Sequence, residues 1–311
     1  MQTARDLIAD SPEKAIAFAQ SRSDPAFKLR LLLAVLRAWG ETDPRSAMSW
    51  VLSQDESARA SEMEATLKGA VTQTDIAVEM ARELLGKNPD AGNVCASMLA
   101  GMLGAEGRFE TAFGLVAEMS GDSKANSMAA LFKRWGAEQP EDALKTLGMV
   151  SNEELRKSAY QAALNGWSEN NYSSLAAYAM TLPSGAARDQ ALIAAVKNWS
   201  LQDPAGLGAW LNALPRGPEF DFGASMMIHK TDNANRSPEL AAGWVESISD
   251  PDLRRISLEH LVNQWVRIDP VAARQYFLNS TWISATQRNQ ILARIQNASI
   301  VEDSSIDATQ P

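Results

Sequence analysis

Cysteine is almost missing from this chain: Cys95 is the single one in 311 residues. No intrachain disulfide can form, and a Cys-rich zinc site is excluded. Histidine is nearly as scarce, with only His229 and His260. Glu259 and His260 are adjacent, whereas two metal ligands on one helix need i, i+3 or i+4 spacing. The chain has no His-Glu-x-x-His, no Gly-x-Ser-x-Gly and no phosphate-binding glycine loop. These absences leave no catalytic residue, metal ligand or cofactor site to nominate, so the expectation is a non-enzyme with no cofactor and no metal. An apolar run of 18 residues is also missing, so no membrane span is expected. Period-two alternation of useful length does not occur, which argues against a sheet.

Positive charge is in deficit. The formal net charge is −9, which speaks against nucleic acid as a partner, because such binding needs clustered Lys and Arg. Hydrophobic residues reach 45%, enough for a sizeable core. The opening "MQTARDLIADSPEKA" has no basic segment followed by an apolar one. As written, the chain is therefore expected in the cytoplasm, and in the periplasm or outside the cell if a leader was removed upstream. The polar, acidic end, residues 299–311, reads as a disordered tail.

Tryptophan, by contrast, is abundant and placed to a rule. "WGETDPRSAMSW" starts at Trp39, "WGAEQPEDALKTL" at Trp135, "WSENNYSSLAAY" at Trp167, "WSLQDPAGLGAW" at Trp199 and "WVRIDPVAARQY" at Trp265. Each has an anchor Trp, usually a Pro five residues later, a small or aliphatic residue at +8, and often an aromatic at +11. Weaker copies imply anchors at Leu7, Gly69, Gly104 and Asn233. Eight of the nine Trp fall at the anchor or at +11. Trp199 and Trp210 are thus copies of a packing code rather than a paired site.

Each copy predicts two helices. Before the anchor, apolar residues stand at −7, −4, −3 and 0, as in Leu32, Val35, Leu36 and Trp39, the stripe of an amphipathic helix. A polar turn ending in Asp-Pro, Gln-Pro or Ser-Pro follows. Asp or Ser can cap the next helix, and Pro at its first position forfeits no hydrogen bond. The array covers residues 1–283, and a capping helix is expected over 284–298, where Ser284 and Gln287 have capping-box spacing.

The pattern resembles tetratricopeptide-like repeats. The first-helix apolar positions match that family's core positions, the Ala at +8 (Ala15, Ala47, Ala77, Ala112, Ala143, Ala241, Ala273) matches its second-helix Ala, and "GRFETA" at Gly107–Ala112 is close to its turn. The period is nearer 32 than 34 residues, and most turns are one residue shorter. The resemblance implies an all-α fold, a right-handed α-solenoid of about nine helix-turn-helix repeats. It also implies a scaffold that binds a protein or peptide partner, extended or acidic, in its concave groove. Aligned with the family, the position two before the anchor faces that groove: Arg37, Lys133, Asn165, Lys197, Thr231 and Asn263. This ladder of donors is the candidate partner-binding row. Two other readings stay open, the helical-toroid part of a cell-wall-active or glycan-active enzyme and a self-assembling structural protein. His229, at −4 from Asn233, and Cys95 read as packed side chains. The eighth unit is irregular, longer and without an anchor Trp.

Overall fold

The computed structural model describes residues 11–229 and 233–307, and these are all helix and connection, with no strand. They form two compact units, Met1–Asn170 and Asn171–Pro311. In the first unit the helices are α1 (Pro12–Gln20), α2 (Pro25–Thr42), α3 (Pro44–Ser53), α4 (Glu56–Ala70), α5 (Thr74–Lys87), α6 (Pro89–Ala105), α7 (Phe109–Glu118), α8 (Gly121–Glu138) and α9 (Pro140–Thr146). The run Glu153–Thr181 is broken at Asn171 (φ −153°, ψ 82°) into α10 (153–170) and α11 (172–181). In the second unit follow α12 (Ala186–Gln202), α13 (Pro204–Ala213), α14 (Pro218–His229), α15 (Asn233–Arg236), α16 (Pro238–Ser247), α17 (Pro251–Ile268), α18 (Pro270–Asn279) and α19 (Ala285–Asp307). The last helix runs past residue 298, into the segment expected as tail. The anchor inferred at Leu7 lies outside the described residues.

One residue makes most of the tight turns. Asp43, Asn88, Gln139, Asn171, Asp203, Ser237 and Asp269 share φ between −153° and −141° and ψ between 65° and 90°. Its N–H closes the helix before it: those of Asp43, Gln139, Asp203 and Asp269 donate to the anchor carbonyls of Trp39, Trp135, Trp199 and Trp265 at 2.7–2.9 Å. Its side chain opens the helix after it. Oδ1 of Asp43, Asn88, Asp203 and Asp269 accepts from an N–H three residues on, at 2.8–3.2 Å. A single Asp or Asn thus satisfies orphan groups of two helices, and the following Pro has no N–H to strand. Gln139 and Ser237 keep the backbone conformation without the side-chain cap.

The repeat positions predict burial. The Ala residues at +8 are each 0% exposed, as are Leu175 and Leu207 in their place. Trp135 and Trp265 are sealed in, and Trp135 stacks on Phe109 with ring centroids 5.4 Å apart. Trp199 and Trp210 do touch, at 5.5 Å, and Tyr172 stacks on Trp199 at 5.3 Å. The expectation that they are no pair is corrected: the +11 ring folds back onto its own anchor. The contact is core packing, since Trp199 is buried.

Helix contacts shift two anchors by one residue. A Cβ at Gly40 would overlap the Thr66 carbonyl, and one at Gly136 would overlap that of Ala163; Gly69 and Gly166 stand against the carbonyls of Arg37 and Lys133 in the same way. Side-chain amides tie the same joints, from Gln73 to the Glu41 carbonyl and from Asn170 to that of Ala137 at 2.8 Å. These correspondences place Ala70, not Gly69, where Trp39 and Trp167 stand. In α6 the buried set Ala96, Leu99, Ala100 and Leu103 makes Leu103 the anchor, not Gly104. Both shifts come from unequal turns. The third unit connects through a 3-10 turn, Val71–Gln73. The fourth carries an extra residue, with Gly107 at φ 74° and the Arg108 N–H on the Leu103 carbonyl at 2.9 Å.

A second recurring contact links some first helices to the helix before them. Eleven residues before the anchor stand Arg59, Arg156 and Arg254, and Arg288 holds the matching place in α19. Their guanidinium groups donate to the carbonyls of Gln54 (2.9 Å), Val150 (3.3 Å), Ile248 (2.6 Å) and Ser280. Each carbonyl belongs to the residue that ends the preceding helix. Charge-assisted bonds there satisfy groups that the helix end leaves open. In the irregular eighth unit Phe222 replaces the Arg. There the buried Asp221 carboxylate holds the next loop, accepting from the N–H groups of Ser249 and Asp250 at 2.8 and 2.9 Å.

Candidate functional site

In the first unit, three first helices, α6, α8 and α10, enclose a cleft of about 630 Å³. Its floor is small: Ala100, Gly101 and Gly104 from α6, Ala130 and Ala137 from α8, Gly166 from α10. Ser127 Oγ donates to Ser97 Oγ at 2.9 Å at one side. Lys133 and Arg134 form a cationic rim facing Glu169 and Asn170. Lys133 Nζ sits 2.9 Å from Glu169 Oε1, and Arg134 Nε 2.9 Å from Glu138 Oε1. Every member of these pairs is about half exposed, so each is worth under about 1 kcal/mol and can exchange for a ligand's carboxylate.

The candidate row is exposed at every described position, Arg37, Lys133, Asn165, Lys197 and Asn263; Thr231 lies outside the described residues. Arg37 lies 4.0 Å from Glu41, and Asn165 Oδ1 accepts from Gln161 Nε2 at 3.2 Å. Of the row, Lys133 lines the cleft; Arg37 and Asn165 do not. With the anchors at Ala70 and Leu103, the row in the first unit also contains Lys68 and Gly101. The cleft therefore opens where the row's side chain is replaced by hydrogen.

Gly101 is a glycine the fold does not require. A Cβ there would meet nothing within 4 Å, whereas one at Gly40, Gly69, Gly136 or Gly166 would strike backbone. It lies inside α6 without a positive φ. Glycine at such a position costs about 1 kcal/mol relative to alanine. Packing does not offset that cost, as it does not at Gly86 and Gly243, but Gly101 alone of these three lines the cleft.

No family model, curated protein or solved structure matches this chain. The cleft must therefore be read on its own chemistry. Its apolar floor and paired charged rim suit a ligand with both apolar and charged parts. It holds no nucleophile beside a base, and no group of three or more His, Cys, Asp or Glu able to hold a metal occurs among the described residues. No described helix is long and apolar enough to cross a membrane.

Other titratable groups are set apart from the cleft. Cys95 is fully buried, and burial pushes its thiol up to about 12, far from a reactive thiolate. His229 and His260, on α14 and α17 of the second unit, lie in ring contact at 4.3 Å, with Ser257 Oγ 3.4 Å from His229 Nε2. Burial lowers the pKa of His260. Sequence spacing carries no signal for this contact, because it joins two helices. Glu62 stands at −8 from Ala70, where other repeats have Cys95, Ser127, Ala159, Ala191 and Ser257. It is 4% exposed, its Oε2 has no partner, and burial raises its pKa.

Proposed function

We propose that the chain is a non-enzymatic scaffold, a tetratricopeptide-like α-solenoid that captures an extended segment of a partner protein along its first helices. The cleft over Gly101 carries this reading: a mid-helix glycine that packing does not need, at the row position expected to face a partner. The apolar floor takes an apolar side chain of the segment. Lys133 and Arg134 meet its carboxylates, exchanging their exposed acidic partners. The small residues let a peptide backbone approach the helices closely.

Selection of a random twelve-residue peptide library on the immobilised protein tests this. Enriched peptides should bind the purified protein and lose about tenfold or more in affinity with Gly101→Leu, which fills the cleft, or with Lys133→Glu at its rim. Gly101→Leu should not lower thermal stability, because leucine is the better helix former, its Cβ meets nothing within 4 Å and the rest of the side chain enters the open space of the cleft. An absence of enriched peptides, or undiminished binding by Gly101→Leu, refutes the proposal.

A further inference from the structure

Trp282 is the one tryptophan outside the packing code. It lies between α18 and α19, half-buried, with Ile283 sealed in behind it. It lines an open cleft of about 480 Å³ in the second unit, shared with Gln275, Tyr276 and Asn279 of α18 and Glu239 of α16. That volume falls within the range of about 300–1,000 Å³ common for small-ligand sites.

The walls are held in place. Tyr276 packs on Trp265 and Phe277, with centroids at 5.0 and 5.3 Å. Asn279 Nδ2 donates to the Gln275 carbonyl at 3.0 Å, and Ser280 Oγ to that of Tyr276 at 2.9 Å. The indole nitrogen of Trp282 is buried, so the ring meets the cleft with carbon. Gln275 and Asn279, one turn apart, are exposed on one face of α18, and both line the cleft together with Tyr276.

Two aromatic rings, two amides, a carboxylate and no Lys or Arg among the lining residues define one kind of ligand. The missing cation disfavours phosphate and carboxylate ligands. The amides offer donors and acceptors together, which suits hydroxyl groups that do both. The aromatic carbon surface suits the C–H face of a sugar ring. We propose that this cleft binds a neutral pyranose saccharide, stacked on Trp282 and hydrogen-bonded through Gln275, Asn279 and Glu239. It is a second site, and does not depend on the peptide reading of the first unit.

The probes are maltohexaose, cellohexaose, xylohexaose and N-acetylchitohexaose, each mixed with the full chain in saturation-transfer NMR and calorimetric titration. At least one should show transfer to its ring C–H protons and a measurable dissociation constant. Trp282→Ala and Gln275→Ala should each weaken that binding by about tenfold or more. Gln275 is exposed, so its variant keeps the native thermal midpoint and separates loss of the site from loss of the fold. No transfer to any of the four, or binding unchanged in both variants, overturns the proposal.

Discussion

The same substitution, glycine to alanine, should have opposite signs at Gly166 and Gly101. In a helix interior alanine is favoured over glycine by about 1 kcal/mol. At Gly101 nothing lies within 4 Å of the new methyl, so that gain survives intact. At Gly166 the methyl would overlap the Lys133 carbonyl oxygen, lie 2.7 Å from its carbon and 3.1 Å from the Ala137 nitrogen. Backbone atoms cannot rotate away, so α8 and α10 must part by about an ångström or more, beyond the usual tolerance of a packed interior. Parting them also strains the bond from Asn170 to the Ala137 carbonyl at 2.8 Å. Overpacking costs typically about 1–3 kcal/mol, with rigid surroundings at the upper end, and a lost hydrogen bond adds about 1. Gly166→Ala should therefore be destabilised by about 2–3 kcal/mol net, and Gly101→Ala stabilised by up to about 1. Urea unfolding followed by circular dichroism at the helical band measures both. A Gly166→Ala protein as stable as the parent would show that α8 and α10 do not meet at backbone distance.

Asp203→Ala removes the side-chain cap of the helix that follows the turn, leaving the backbone bond to the Trp199 carbonyl, and should cost about 1 kcal/mol; Asp203→Asn should restore most of it, and equal melting of all three proteins would contradict the turn described. Glu62→Ser should stabilise the protein at pH 7 by on the order of 1–2 kcal/mol, since it removes an acceptor buried without a partner. Because burial raises the folded-state pKa of Glu62, the native state holds the proton longer, so the parent's deficit should shrink as pH falls through that pKa; a deficit that grows on acidification would refute it. His260 has the opposite linkage. Its folded pKa is lowered, so the unfolded chain binds more protons below the ordinary value of about 6.5, and stability should fall as pH drops through that range. His260→Gln should flatten this slope in pH-dependent thermal melts, and an unchanged slope would exclude the pair as its source.

What the linear pattern foretold is local in origin. The stripe at −7, −4, −3 and 0, the Asp-Pro turns and the Ala at +8 depend on residues within a few turns of each other. Helical periodicity and capping chemistry therefore make them legible. The exposure of Arg37, Lys133, Asn165, Lys197 and Asn263 follows from the same periodicity. A uniform turn length puts anchors at Gly69 and Gly104, whereas the described turns differ in length, and that difference hides the place of Gly101 in the row.

Contacts between helices were decided only in three dimensions. Arg59, Arg156 and Arg254 recur visibly at −11 in the sequence, but only the folded chain shows the loop carbonyls they reach. Gly40 and Gly166 look like ordinary weak helix formers until another backbone stands against them, and Gly101 looks the same until nothing does. His229 and His260 meet because α14 and α17 are rotated to face each other. Sequence periodicity sets which side of a helix is buried. The distance and rotation between neighbouring helices, set by side-chain volumes summed across the interface, decide which residues touch and where a cleft is left open.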